Sequence, residues 1–240
     1  MPVPVLLYHK IDKPAADARV RGGYTPRARF ERQMAYLKRR GFVFYTASGL
    51  IEHFRERGSF PENAVALTFD DGWKDNYTNA FPTLRRLGIP ATIFLVPSCI
   101  GAVSDKAQAE GESGRAHLSR EEILEMSADG IEFGSHSMNH RLLHELAPEE
   151  VRFEVEESKR CIEGILQKPC KVFAYPAGFY SDTARRVIED AGHIAAFSTI
   201  YGPEARPDIY ALNRIEILRR DRFTFQFAAK VRPLERSPHG

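Results

Sequence analysis

Ala64-Val-Ala-Leu-Thr-Phe-Asp-Asp-Gly72 is an uninterrupted, mostly apolar run that ends abruptly in two carboxylates and a glycine. The run is too short for a typical helix and has no polar alternation, so it reads as a strand buried on both faces, with acidic groups at its end. Successive strand residues point to opposite sides, so Asp70 and Asp71 can take different roles, and Gly72 lets the backbone turn sharply after them. Taken alone, the same residues read equally well as an Asp-Gly turn whose aspartates satisfy local amides.

Upstream, residues 3–8 read as a short strand that delivers Tyr8 and His9 to its end. A helix follows, with Thr25 as cap, Pro26 at the first helical position, Phe30, Met34 and Leu37 along one face, and Gly41 as a left-handed terminator. Apolar residues at 42–44 and a helix over 48–57 precede the central strand. Downstream, a helix over 76–87 closed by Gly88 leads to a strand at 91–96. Ser119 and Glu122 form a capping box for a helix to about Asp129, and a strand follows at 131–134. A long amphipathic helix over 148–166, a strand at 172–175, a helix over 182–191 and strands at 195–199 and 214–218 complete the pattern. The connection over 97–117, rich in Gly, Ala, Ser and charge, is long enough to be a lid, a groove wall or a disordered insertion.

Alternating strands and helices favour parallel pairing, which leaves a closed barrel or an open doubly wound sheet. The polar residues decide between them. Tyr8-His9, Asp70-Asp71, Ser135-His136 and Tyr175-Pro176 each fall just after an expected strand, and a barrel gathers such groups on one rim. No glycine-rich phosphate loop follows the first strand. The expectation is an α/β barrel, irregular because several strands are short, formed by residues 1–240 as a single domain.

Thirty-four basic residues stand against 32 acidic ones, a balance that supplies no broad positive field for nucleic acid. Cys99, Cys161 and Cys170 include no CxxC pair, so neither a disulfide framework nor a thiolate zinc site is signalled, and a reducing compartment fits best. No apolar run approaches the ~20 residues that span a bilayer. The opening residues do not read as a secretory signal, so the chain as written reads as cytoplasmic; an extracytoplasmic location stays open if a leader has been removed.

His136-Ser-Met-Asn-His140 supplies two imidazoles four residues apart, the spacing with which a helical turn aims both at one ion. His144 repeats the spacing, so the pair by itself is open to coincidence. With Asp70-Asp71 at another strand end the reading changes. Two histidines and one carboxylate make a metal set that leaves positions for water and substrate.

These motifs resemble the polysaccharide deacetylases that share the NodB homology domain, also called carbohydrate esterase family 4. Thr68-Phe-Asp-Asp-Gly72 looks like the family's first motif and His136-Ser-Met-Asn-His140 like its second. Leu7-Tyr-His9 and Phe173-Ala-Tyr-Pro-Ala-Gly178 look like the branch containing poly-N-acetylglucosamine deacetylases. The resemblance extends over residues 3–217. It implies a distorted (β/α) barrel with about seven parallel strands and a divalent metal, commonly zinc, with cobalt and nickel as alternatives. Asp71, His136 and His140 would then be ligands, Asp70 the base that activates water, and the Ala177 backbone N–H an oxyanion donor. The implied reaction is removal of acetyl groups from an N-acetylated sugar in a polysaccharide, an oligosaccharide or a lipid-linked precursor, the last leaving peripheral membrane association open. Two alternatives remain: hydrolysis of another amide, such as a cyclic imide, a ureide or a formamido sugar lipid, and a carbohydrate-binding relative without catalysis.

Two departures from the family pattern stand out. Ala174 occupies the place of an arginine that orients the catalytic aspartate in many members, so Asp70 must be held another way. The late leucine-histidine motif, source of a general acid, is absent, since the closing strand reads Asn213-Arg-Ile-Glu-Ile217. His9 is the best replacement, with the alternative that it merely caps a strand end. Trp73, Tyr175 and Phe179 are candidates for a sugar-binding groove, and core packing is the competing role for them.

Overall fold

The computed structural model describes residues 3–16, 18, 21–103, 114–199, 208–221 and 224–234. Its strands are β1 (Val5–Tyr8), β2 (Val43–Tyr45), β3 (Ala64–Phe69), β4 (Thr92–Leu95), β5 (Glu132–Ser135), β6 (Val172–Ala174), β7 (Ala195–Ser198), β8 (Leu212–Asn213) and β9 (Ile215–Glu216). All pairings among these strands are parallel, in the order β8-β7-β6-β5-β4-β3-β1-β9. Only Arg214 separates β8, which pairs with β7, from β9, which pairs with β1. The two are therefore halves of one extended segment that joins both edges of the sheet and closes it into a barrel of seven staves. The register of β2 places it beside the first half of β3 (Val43↔Ala64 to Tyr45↔Ala66), while β4 takes the second half at Thr68 and Phe69. It lies outside the ring. The distorted barrel expected from the sequence is the fold observed.

The helices are α1 (Arg27–Arg39), α2 (Ala47–Arg57), α3 (Phe81–Leu87), α4 (Arg120–Ala128), α5 (Pro148–Leu166), α6 (Asp182–Asp190) and α7 (Thr224–Val231). None of the described helices is long and apolar enough to cross a membrane. Period-two alternation in β3 organises the core. Val65, Leu67 and Phe69 pack outward with Phe30, Met34 and Leu37 of α1, whereas Ala64 and Ala66 join Phe94, Ala174, Phe197 and Leu212 in a second cluster that fills the barrel. Leu50 and Ile51 of α2 belong to that second cluster. The first amides of α2, on Ala47 and Ser48, donate to Thr92 Oγ1 and Glu132 Oε2 at the beginnings of β4 and β5. Helix α2 thus plugs the N-terminal mouth, and the C-terminal mouth is left for chemistry.

Some local expectations change. Thr25 does not cap α1; its N–H donates to the Lys10 carbonyl, and the helix begins at Arg27 without a side-chain cap. The expected helix over 76–87 starts as a π-helical turn at Asn76–Ala80 and runs into α3, closed by Gly88 in the left-handed conformation. The capping box on α4 forms as read, with Ser119 and Glu122 each accepting from the other's amide. Helix α7 goes unread because Phe223, Phe225 and Phe227 alternate like a strand; only Phe227 and Val231, one helical turn apart, are buried in it. Of the long connection, 104–113 lies outside the described residues, while its two ends meet in a Val103–Ala116 bridge and His117 pairs with Trp73.

Gly134 in β5 shows how full the barrel is. A Cβ at this position would lie 2.6 Å from the Phe94 ring and 2.8 Å from the Val172 carbonyl. Gly134→Ala is expected to destabilise the fold by about 1–3 kcal/mol through overpacking, read as a lower midpoint in urea or thermal unfolding. An unchanged midpoint would show that the interior has room to spare.

Candidate metal centre

Three donors converge beyond the ends of β3 and β5. Asp71 and Gly72 follow β3 in the left-handed conformation, with φ of 73° and 63°, and this turn brings the Asp71 carboxylate across to the histidines. Asp71 Oδ1 lies 3.6 Å from His136 Nε2 and 3.2 Å from His140 Nε2. Ligand atoms of the three residues all lie within 4.8 Å of one another. Two imidazole nitrogens and one carboxylate oxygen fit a divalent ion that accepts mixed nitrogen and oxygen ligands, zinc above all, with coordination positions left over.

The surroundings aim each donor. His136 Nδ1–H donates to the Ala174 carbonyl at 2.7 Å, which leaves the Nε2 lone pair facing Asp71. Burial, outweighing the aspartates beside it, pushes the His136 pKa down to about 4, so the ring is neutral near pH 7 and its Nε2 lone pair is available to an ion. The Trp73 indole N–H donates to Asp71 Oδ2 at 3.0 Å, leaving Oδ1 for the histidine side. His117 Nδ1 lies 2.8 Å from the Asp71 carbonyl oxygen, and its ring stacks on Trp73 at 4.3 Å.

The helical turn expected for 136–140 does not form. Ser137 and His140 have φ of 63° and 58°, and an irregular loop brings the two rings to 4.9 Å. Glu154 of α5 holds that loop. Its buried carboxylate accepts from both the backbone and the side-chain amide of Asn139 at 2.8 Å, and its backbone carbonyl accepts from the Met138 N–H at 3.0 Å. The second-motif histidines therefore converge because a carboxylate on the next helix fixes the turn between them. Left-handed non-glycine residues cost about 1–3 kcal/mol each and persist only where their surroundings enforce them. Four of the six described here, Asp71, Ser137, His140 and Ala177, belong to the site or its rim.

Asp70 points the other way, into the barrel. Arg214 Nη1 and Nη2 donate to its Oδ1 and Oδ2, both at 2.7 Å, and the Arg214 side chain is wholly buried. Asp70 Oδ2 is also 3.9 Å from His136 Nε2. Burial alone would raise the Asp70 pKa; the Arg214 guanidinium, with His136 and His9, outweighs it and holds the carboxyl below the usual range. The sequence reading missed Arg214. The available signal was a charged residue inside a closing strand whose neighbours Leu212 and Ile217 are buried.

His9 stands at the same mouth, close enough for its charge to favour ionised Asp70. Its ring packs over Gly23, where a Cβ would approach within 3.4 Å, and its carbonyl accepts from the Asn76 side-chain amide at 2.8 Å. Ala177 lies in a tight left-handed turn after β6, beside Gly178, where any Cβ would collide with the Thr199 side chain. Two groove candidates are corrected. Trp73 and Tyr175 are both 0% exposed, Trp73 bonded to Asp71 and Tyr175 donating its hydroxyl to the Tyr210 carbonyl, so neither shows a face to a sugar. Phe179 is 52% exposed, its ring 5.3 Å from that of His144, and His144 stands apart from the three clustered donors.

The sequence profile of the polysaccharide deacetylase family matches residues 57–196. The chain is 29% identical over 216 residues to YxkH of Bacillus subtilis, a match spanning 90% of this chain and 71% of that one. It is 28% identical over 180 residues to the poly-β-1,6-N-acetyl-D-glucosamine N-deacetylase of Staphylococcus aureus, spanning 71% of this chain and 59% of the staphylococcal one. The solved structure of the Streptococcus pyogenes deacetylase PplD in complex with acetate superposes with a TM-score of 0.77 at 27% identity, covering 91% of this chain and 94% of that one. With a profile match over more than half its length and a barrel of the same form, the chain belongs to the polysaccharide deacetylase family.

Proposed function

We propose that this protein is a metal-dependent N-deacetylase that hydrolyses the acetamido group of an N-acetylated sugar. The observation that carries the reading is the convergence of Asp71, His136 and His140 beside a second, ionised carboxylate, Asp70. In it, Asp71, His136 and His140 hold a divalent metal, zinc being the ion that best suits the set and cobalt or nickel the substitutes. Such an ion supplies an electrophile for the acetyl carbonyl and makes water more acidic.

The remaining steps fall to the chain's own groups. Asp70, ionised and nearly out of solvent, takes the proton from the attacking water. The backbone N–H of Ala177, in its left-handed turn, donates to the negative charge that develops on the acetyl oxygen as water adds to the carbonyl carbon. Nitrogen leaves as an amine only after gaining a proton, and His9 delivers it. Similarity to the staphylococcal poly-β-1,6-N-acetyl-D-glucosamine N-deacetylase makes β-1,6-linked N-acetylglucosamine oligomers the first substrates to try, followed by lipid-linked N-acetyl sugars.

The purified protein is expected to release acetate from such sugars, to lose the activity on treatment with chelator and to regain it with zinc, cobalt or nickel. Asp71→Asn and His140→Ala should each weaken metal binding by at least about 10-fold, measured directly by calorimetry or elemental analysis. Fast turnover of cyclic imides or ureides with no attack on the sugars would reassign the site to another amide, and full metal retention by both variants would remove the proposed ligands.

His9 has its own test. His9→Ala is expected to lower kcat roughly 100-fold or more while metal content stays unchanged, the range for loss of a general acid. A kcat equal to that of the wild type would take His9 out of the mechanism.

A further inference from the structure

We propose that Arg214 is the positioning residue for Asp70: its guanidinium fixes the plane of the carboxylate, so that the segment closing the barrel also orients the base. The assignment rests on the deacetylase reading and adds a residue that lies outside the motifs read from the sequence.

A carboxylate can be held in two ways, by charge alone or by a planar fork, and only the fork restrains rotation about the Cβ–Cγ bond. Here both Nη atoms meet both Oδ atoms at 2.7 Å, the two-point arrangement. The guanidinium is fixed in turn. Nη1 also reaches Thr68 Oγ1 on β3, Nε reaches the Ser198 carbonyl at the end of β7, each at 3.3 Å, and the group lies 5.4 Å from the centre of the Phe94 ring. Contacts to two strands and a ring leave it one orientation. Asp70 Oδ2 then sits 3.9 Å from Nε2 of His136, a proposed metal ligand, and its position relative to that ligand is set from behind by the fork.

The place of Arg214 in the chain gives this contact its origin. It is the single residue between β8 and β9, at the point where the last segment passes from pairing with β7 to pairing with β1. Its side chain is buried, with the guanidinium over the Phe94 ring of the cluster that fills the barrel. A lysine at 214 would retain the charge and lose the two-point geometry.

The experiment compares wild type, Arg214→Met and Arg214→Lys as metal-loaded enzymes, measuring kcat and KM for acetate release from an N-acetylglucosamine oligomer, metal content and thermal midpoint. Arg214→Met is expected to lose about 100-fold in kcat with KM within about threefold and metal content unchanged, because the base is present but misaimed. Arg214→Lys should recover no more than about a tenth of wild-type kcat. The proposal is overturned by an Arg214→Met kcat within about threefold of wild type, by full activity in Arg214→Lys, or by activity losses that simply track lost metal or lost folded protein. Should Arg214→Met fail to fold, Arg214→Lys decides by the same criteria. Crystal structures of wild type and the folded variant supply a readout independent of turnover: an unchanged Asp70 carboxylate plane also overturns the proposal. A wild type that releases no acetate would count against the deacetylase reading, and the carboxylate plane would still test Arg214.

Discussion

Two adjacent carboxylates at the end of β3 are almost completely out of water, Asp70 at 2% and Asp71 at 5% exposure. An isolated buried charge costs several kcal/mol, and two of one sign on neighbouring residues repel as well, so the local structure has to supply compensation to each separately. Strand alternation makes this feasible by sending them to opposite sides. Asp70 continues the inward row of Ala64, Ala66 and Thr68 and meets a guanidinium in the barrel. Asp71 breaks from the strand into a left-handed turn and meets an indole N–H and two imidazoles. The pair of roles in the proposed chemistry, base and ligand, is at bottom a consequence of which side of one strand each carboxylate occupies.

The compensation reaches well beyond the carboxylates. Strained conformations at Asp71, Ser137 and His140 hold only because neighbouring elements enforce them: His117 at the Asp71 carbonyl, Glu154 under the loop of the second motif, and the Ala174 carbonyl at His136. Each support comes from a different stretch of the chain, and together they hold the three side chains in their converged arrangement. A site prepared in this way avoids reorganisation on binding, which is how preorganised groups gain strength in a water-poor cleft.

What could be read from the sequence follows from how local each signal is. The central strand, the capping box at Ser119 and the placement of polar groups after strands depend on neighbours within a few residues, and they located both the barrel and the residues that converge at its mouth. Arg214 is 144 residues from Asp70, and no local periodicity announces a contact of that span. The turn between His136 and His140 was misread for a related reason: a spacing of four suits a helix, but Glu154 on the following helix imposes a loop that achieves the same convergence. Trp73 and Tyr175 looked like sugar platforms because aromatic composition does not reveal which face is free. Packing against His117 and a bond to Tyr210 take up the surfaces that composition alone left open.

The reading of the chain as a carbohydrate-binding relative without catalysis drew its force from two missing family features, the arginine at position 174 and the late histidine. The first absence is compensated in the fold. A guanidinium meets the same carboxylate from the last strand instead of the sixth, and the alanine at 174 is buried in the cluster that fills the barrel. Losing either partner would leave an unpaired Asp70 or Arg214 in this interior at a cost of several kcal/mol, so fold stability by itself retains the pair. Retention of both partners also has a structural explanation, because the pair closes the barrel as well as holding the carboxylate. That explanation accounts for the presence of Arg214 but not for the convergence of Asp71 with His136 and His140 through left-handed backbone at Asp71, Ser137 and His140, which contributes nothing to closure and raises the energy of the empty loop. Strain of that kind, kept at the rim beside an ionised carboxylate, fits the proposed hydrolytic centre better than a sugar-binding surface.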